Sequence, residues 1–241
     1  MKVDLNCDMG ESYGNYTVGQ DQLLMPYIDS CNIACGFHGG DPYHIEQTID
    51  AALEHGLRIG AHPSYPDLQG FGRRKMNIPH IELTSIIKYQ LSALKGLVES
   101  KGGKLSYVKP HGALYNSIAQ DGEEAAAVIR GIQAIDSSLK IMVLADARII
   151  DVAQSLGISI IREGFADRRY DQNTQLQSRS IAGAVFHDPK VATEQVRSLA
   201  QDQMITWADG STHSLQVESI CIHGDNPIAL EIAKMAREIL G

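Results

Sequence analysis

The sequence predicts an α/β protein folded as an irregular, TIM-barrel-like (β/α) barrel, in a single domain over residues 1–241. Three observations predict it. Short apolar runs suited to buried strands alternate with longer runs of helical period from end to end. The short runs end repeatedly in polar groups: Cys7-Asp8-Met9-Gly10-Glu11, Cys35-Gly36-Phe37-His38, His62-Pro63-Ser64, Lys109-Pro110-His111, Arg162-Glu163 and His223-Gly224-Asp225. Parallel strands that share one layer deliver such groups to one rim. Finally, six or seven strands are countable, which places a barrel first and an open doubly wound sheet second.

The elements follow in order. Val3 and Leu5 start the first strand, and Ser30 to Ala34 forms the second. Asp41-Pro42 opens a helix as N-cap and first helical residue, with Ile45, Ile49, Ala52 and Leu53 on one face and Gly56 at its end. Leu57 to Ala61 is a strand. The loop from His62 to Pro79 is long for a compact connection, which favours function. A helix from Ile81 to Ser100 turns Leu83, Ile87, Leu91, Leu94 and Val98 inward, and Leu105 to Val108 is the next strand. Asp121, Glu123 and Glu124 begin another helix at its electropositive end. Strand Ile141 to Leu144, helix Ala147 to Leu156 and strand Ile158 to Ile161 come next. Periodicity fails from Gly164 to Pro189, predicting a long rim loop. Asp188-Pro189 caps a helix to about Gln201; Met204 to Trp207 and Ser214 to Val217 read as a hairpin around Asp209-Gly210. Strand Ser219 to Ile222 and a helix capped by Asn226-Pro227, with Ile228, Ile232, Met235 and Ile239 on its inner face, end the chain.

Composition narrows the function. A formal net charge of -8 without a basic stripe argues against nucleic acid and anionic membrane as partners. No apolar run reaches bilayer length and no signal peptide is read, so the expected location is cytoplasmic. The four cysteines, Cys7, Cys31, Cys35 and Cys221, lie in or beside strands and are expected reduced. Cys31 and Cys35 hint at zinc, but burial as small apolar side chains outweighs the hint.

His38, His62, His111 and His223 each follow a different strand, so a common parallel layer brings them to one mouth with Asp8, Glu11, Asp41, Glu163 and Asp225. Such a set suits a divalent metal, or a general base and acid. Lys109 at a strand end can hold a carboxylate or phosphate as a point charge. Phe71-Gly72-Arg73-Arg74, Arg168 and Arg179 offer the same service, and the amides around Gly36, Gly39 and Gly40 could cradle an anion. Each has a plainer reading, as a solvated cation or a turn. No phosphate-binding or dinucleotide glycine loop and no G-x-S-x-G elbow occurs.

Asp4-Leu5-Asn6-Cys7-Asp8-Met9-Gly10-Glu11, Asn32 to Asp41, Gly60 to Asp67, Gly70-Phe71-Gly72-Arg73-Arg74, Val108 to Asn116 and His223-Gly224-Asp225 together resemble the LamB/YcsF family, the A subunits of bacterial 5-oxoprolinase. The resemblance implies a barrel related to the glycoside hydrolase/deacetylase fold. It also implies ATP-dependent opening of 5-oxoproline to L-glutamate with subunits B and C, ATP being co-substrate of the complex. The expected catalytic groups are His111, Glu163, Asp8 and His62. Lys109, Arg74, His38, Asn6, Arg168 and Asp225 are expected to bind substrate. A divalent metal, if bound, falls to His38, His62 and His223. Gly164, Gln177 and Ser178 depart from the family's usual residues, and all three are expected in the rim loop. Two other readings stay open: a metal-dependent deacetylase-like hydrolase and a non-catalytic substrate-binding subunit. Homo-oligomerisation is likewise left open.

Overall fold

In a computed structural model describing residues 3–241, seven parallel strands close into a barrel. They are β1 (Asp4–Met9), β2 (Ser30–Ala34), β3 (Arg58–His62), β4 (Leu105–Val108), β5 (Lys140–Leu144), β6 (Ile160–Phe165) and β9 (Ser219–Ile222). β9 closes the ring by pairing with both β6 and β1, with Phe165 opposite Cys221 and Asn6 opposite Cys221 on the other side. The hairpin β7 (Met204–Thr206) and β8 (Thr212–Ser214) stands apart from the barrel.

The helices outside it are α1 (Asp21–Leu24), α2 (Pro42–Glu54), α3 (His80–Ser100), α4 (Gly112–Ile118), α5 (Gly122–Ile135), α6 (Ile149–Ser155), α7 (Pro189–Arg197) and α8 (Ala229–Leu240). Three starts are set as expected. Asp41 accepts from the amides of Tyr43 and His44, Asp121 from those of Glu123 and Glu124, and Asp188 from that of Lys190. The face of α3 formed by Leu83, Ile87, Leu91, Leu94 and Val98 is buried as predicted.

Local differences have identifiable causes. β6 extends to Phe165, so Arg162 and Glu163 lie within the strand rather than beyond it. β8 ends at Ser214, before most of the run assigned to the hairpin's second strand; Leu215 and Val217 instead enter the core. α8 starts at Ala229 without a side-chain cap: the Asn226 Oδ1 accepts from the Ile228 amide, one residue before the helix, while its NH2 donates to Asp167 and to the carbonyl of Phe186. Its buried face is Ala229, Ile232, Ala233 and Ala236, mostly small residues that let the helix lie close to the barrel. Gly164 belongs to β6 and not to the rim loop. A Cβ there would come within 2.9 Å of Val217 Cγ1 and 3.2 Å of Leu199 Cδ1, so neighbouring side chains already fill the space.

The barrel interior is layered. Tyr107, Met142 and Ile161 form a buried apolar plug separate from the main core between barrel and helices. Gly60 makes room for it, since a Cβ at that position would overlap the Tyr107 ring. Beside the plug is a polar layer. The Tyr107 hydroxyl donates to Asn32 Oδ1, the Asn32 amide donates to Asn6 Oδ1, and the Asn6 amide donates to Ser219 Oγ, at 2.7–2.8 Å. Each of these inward polar groups has a partner, as burial requires. Inward and outward residues alternate along β1, which turns Asn6 and Asp8 to the interior.

Candidate active site

Lys109, immediately after β4, stands at the centre of the polar interior. Its Nζ lies 2.9 Å from Asp8 Oδ1, 2.8 Å from Glu163 Oε1, 3.3 Å from Asn6 Oδ1 and 3.1 Å from Cys221 Sγ. Burial alone would lower its pKa, but Asp8, Cys221 and Glu163 outweigh burial and hold the ammonium well above its usual value. Burial likewise works against the Asp8 carboxylate, and His62 with Lys109 overcomes it, leaving the Asp8 pKa well below normal. Glu163 is fully buried and also accepts from the Tyr115 hydroxyl at 2.7 Å.

Three imidazoles pack above this layer. His38 stacks on His111 with ring centroids 3.7 Å apart, and His62 meets both rings edge-on. His62 Nδ1 lies 2.7 Å from the carbonyl oxygen of Lys109, and His111 Nε2 lies 2.9 Å from that of Phe71. A carbonyl only accepts, so both nitrogens carry hydrogen. The remaining nitrogens, His62 Nε2 and His111 Nδ1, face each other at 2.9 Å. One shared proton, or a cation, must lie between them. Glu11 Oε1 completes the group, 3.0 Å from His38 Nε2 and 3.4 Å from His111 Nδ1. Burial, then Asp8, pushes the Glu11 carboxyl up to about 7. Burial, aided by the neighbouring imidazoles, pulls His38 and His111 well below the ordinary histidine value. Gly72 lets the long loop lie over the rings, with a φ of 63° and a Cβ position 2.8 Å from both His111 Cδ2 and His38 Cβ.

These groups border a cavity of about 350 Å³, at the lower end of the range for small-molecule sites. Asp8, His62, Lys109, His111, Arg168 and Asp225, six of the residues expected from sequence, line it together with His223. Asn6, His38 and Glu163 do not; they lie behind the lining, Asn6 and Glu163 against Lys109 and His38 against Glu11 and His111. Arg74 points elsewhere, into a salt bridge with Asp67 with its side chain 63% exposed, and its neighbour Arg73 lines the cavity instead. Glu11 and Arg73 are absent from the catalytic and binding residues expected from sequence. The carboxylate run after β1 signals Glu11, but nothing in an Arg-Arg pair distinguishes its members. Asp41 is spent on the α2 cap, the Gly14 amide and His44. The expected anion cradle is closed as well: the Gly36 amide donates to Gly39, and the Gly40 amide to Glu11.

The donor atoms of Glu11, His38, His62 and His111 lie within 4.8 Å of one another, a set suited to a first-row divalent ion. The carbonyls behind His62 and His111 orient the rings as supports of metal-bound histidine do. His223 stands outside this group. It falls in another, with Asp8 and Cys221, and its Nδ1 lies 2.7 Å from Asp167. The expected metal trio is therefore divided. Cys31 and Cys35 belong to neither group among the described residues, and all four cysteines are free and buried.

With this geometry, comparison with known proteins is decisive. The pattern of the LamB/YcsF family matches residues 3–241. The chain belongs to the LamB/YcsF family. Within that family, a protein of Agrobacterium fabrum named as a 5-oxoprolinase A subunit is 48% identical over 98% of this chain and 92% of its own length. The crystal structure of a lactam utilization protein from Thermus thermophilus superposes with a TM-score of 0.94 at 38% identity, covering 100% of this chain and 96% of that one. The Pseudomonas stutzeri endoglucanase Cel5A, at 13% identity and TM-score 0.51 over 98% of this chain and 94% of that one, bears on the barrel fold alone. No helix among the described residues is long and apolar enough to cross a membrane.

Proposed function

We propose that this chain is the A component of an ATP-dependent 5-oxoprolinase, opening 5-oxo-L-proline to L-glutamate in the cytoplasm together with subunits B and C. The observation that carries the proposal is the cavity wall of Asp8, Glu11, His62 and His111, in a chain 48% identical to a protein named as a 5-oxoprolinase A subunit. The substrate comes from the relatives' names, and the chemistry from the wall.

A lactam amide is a weak electrophile. Phosphorylation of its oxygen by ATP gives an imidate phosphate, whose carbon accepts water. Opening the ring then needs a base for the water and an acid for the departing nitrogen, and the acyl phosphate so formed takes a second water at carbon, releasing inorganic phosphate and leaving L-glutamate. Asp8 stays ionised, while Glu11, at about 7, exists in both forms near neutrality. Two carboxyls with separated pKa values supply those two roles. His62 and His111 line the same wall, and their facing nitrogens, 2.9 Å apart, give a proton a path between the rings. Glu163 is assigned a supporting part, fixing Lys109 from below, because it does not line the cavity. With no nucleotide glycine loop in the chain, phosphorylation is assigned to the partner subunits. Glutamate release from 5-oxoproline and ATP, measured with and without subunits B and C, tests the proposal. Release by the three together supports it, and no release by the full set overturns it.

The four-residue donor set supports a second reading, a metal-dependent hydrolase. A bound divalent cation would supply Lewis acidity, held by Glu11, His38, His62 and His111. Metal analysis of protein purified without chelator separates the two. Stoichiometric zinc favours this reading, and metal-free protein with full activity removes it.

A further inference from the structure

Three guanidinium groups converge on one side of the cavity with few acceptors among them. Arg73 donates through Nη2 to Asp225 Oδ2, and Arg179 places Nη1 3.6 Å from the same oxygen. Arg168 is buried and donates through Nη2 to the carbonyl of Gln177 at 2.6 Å, while its Nε is sealed from solvent with no partner. Each guanidinium carries five N–H donors and no acceptor. Arg73 and Arg179 share the Asp225 carboxylate by contact. The neighbouring Asp167 is occupied by His223 and by the amide of Asn226. Burial, and then Arg179, lowers the Arg168 pKa to about 10, so gathering these cations has an electrostatic cost. The remaining cation of the cavity, Lys109, is already surrounded by Asp8, Glu163 and Asn6.

We infer that Arg73, Arg168 and Arg179 form an anion subsite that receives an oxyanion group of the ligand, either a carboxylate or a phosphoryl group. Both are planar or tetrahedral arrays of acceptor oxygens that the guanidinium fork engages in pairs. The orphaned Arg168 Nε, inside the protein, is a donor without its acceptor. The bond to Gln177 uses backbone, so the departure from the family's usual residue at that position leaves Arg168 in place. The subsite depends on the lactam reading above only for the choice of probes.

The test measures dissociation constants of the full chain for L-5-oxoproline, for 2-pyrrolidinone (the same ring without the carboxylate) and for inorganic phosphate. Arg179→Met is the principal variant, because Arg179 is 30% exposed in its side chain and makes a single ion pair, so its loss spares the fold. Arg179→Lys serves as the charge-retaining control, and Arg73→Met as a second site. A carboxylate in the subsite predicts at least tenfold weaker 5-oxoproline binding by Arg179→Met, 2-pyrrolidinone binding changed less than twofold, and partial rescue by lysine. A phosphoryl group predicts the tenfold loss for phosphate instead. Unchanged affinity for both anions in Arg179→Met and Arg73→Met overturns the inference, as does failure of wild type to bind either anion at millimolar concentration. Turnover by the reconstituted complex with unaltered KM for both 5-oxoproline and ATP in Arg179→Met would sink the subsite while leaving the lactam reading intact. Arginine-dependent phosphate binding without any turnover would do the reverse.

Discussion

A lysine whose side chain is 3% exposed sits between two carboxylates, and removing it strands both. Lys109→Met is expected to cost about 3–5 kcal/mol in denaturant unfolding, the usual penalty for breaking a buried ion pair on one side. The same substitution together with Glu163→Gln should recover part of that loss, because one of the stranded charges is then gone. Glu11 makes a different prediction. Glu11→Gln keeps the shape and removes the exchangeable proton, so kcat of the reconstituted complex should fall by about 10²–10⁴-fold. Its Tm should change little, since the two buried imidazoles it touches, His38 and His111, are both held well below the ordinary histidine pKa by burial and need no counter-charge.

At the scale of single elements, β3 and β4 depend on the contact of Gly60 with Tyr107. Gly60→Ala must move the ring, and is expected to destabilise by about 1–3 kcal/mol, read as a lowered denaturation midpoint at unchanged slope. Most elements are legible in the sequence because they obey simple periods: α3 by its five inward residues, α2, α5 and α7 by their aspartate caps. β6 reads short in sequence because Arg162 and Glu163 resemble a strand's exit. Glu163 fits inside the strand because the barrel interior is polar at that level and Lys109 compensates it there, while Arg162 faces outward toward Glu218. The exchange of Arg74 for Arg73 has the same origin. Adjacent residues of a loop point in directions set by backbone geometry, here beside a Gly72 with positive φ, and pattern alone carries no such information. The convergence of His38, His62 and His111 is legible because parallel topology imposes it. The division of His223 from them is not, since it follows from the Asp167 contact across 56 residues.

Across the whole molecule, titration adds a testable stability term. Burial raises the Asp21 carboxyl from 3.8 to about 6, against the hydrogen bond from the Gly10 amide. Its folded pKa exceeds the unfolded value, so the folded chain holds the proton more tightly. That contribution is present at low pH and is lost as pH rises from about 4 through about 6. Asp21→Asn keeps an oxygen for Gly10 and has no charge to bury. Relative to wild type it should gain about 3 kcal/mol of stability as pH rises from below about 4 to about 7 and nothing further above, measured by urea unfolding across that range. A variant whose advantage is flat over this range would contradict the assigned cause.

The plug of Tyr107, Met142 and Ile161 has one more consequence. It stoppers the tube at its far end, so the chamber is a blind alley rather than a passage. Whatever enters must back out by the doorway it used, and a protein seated across that doorway would hold reactant and product captive until it lifted.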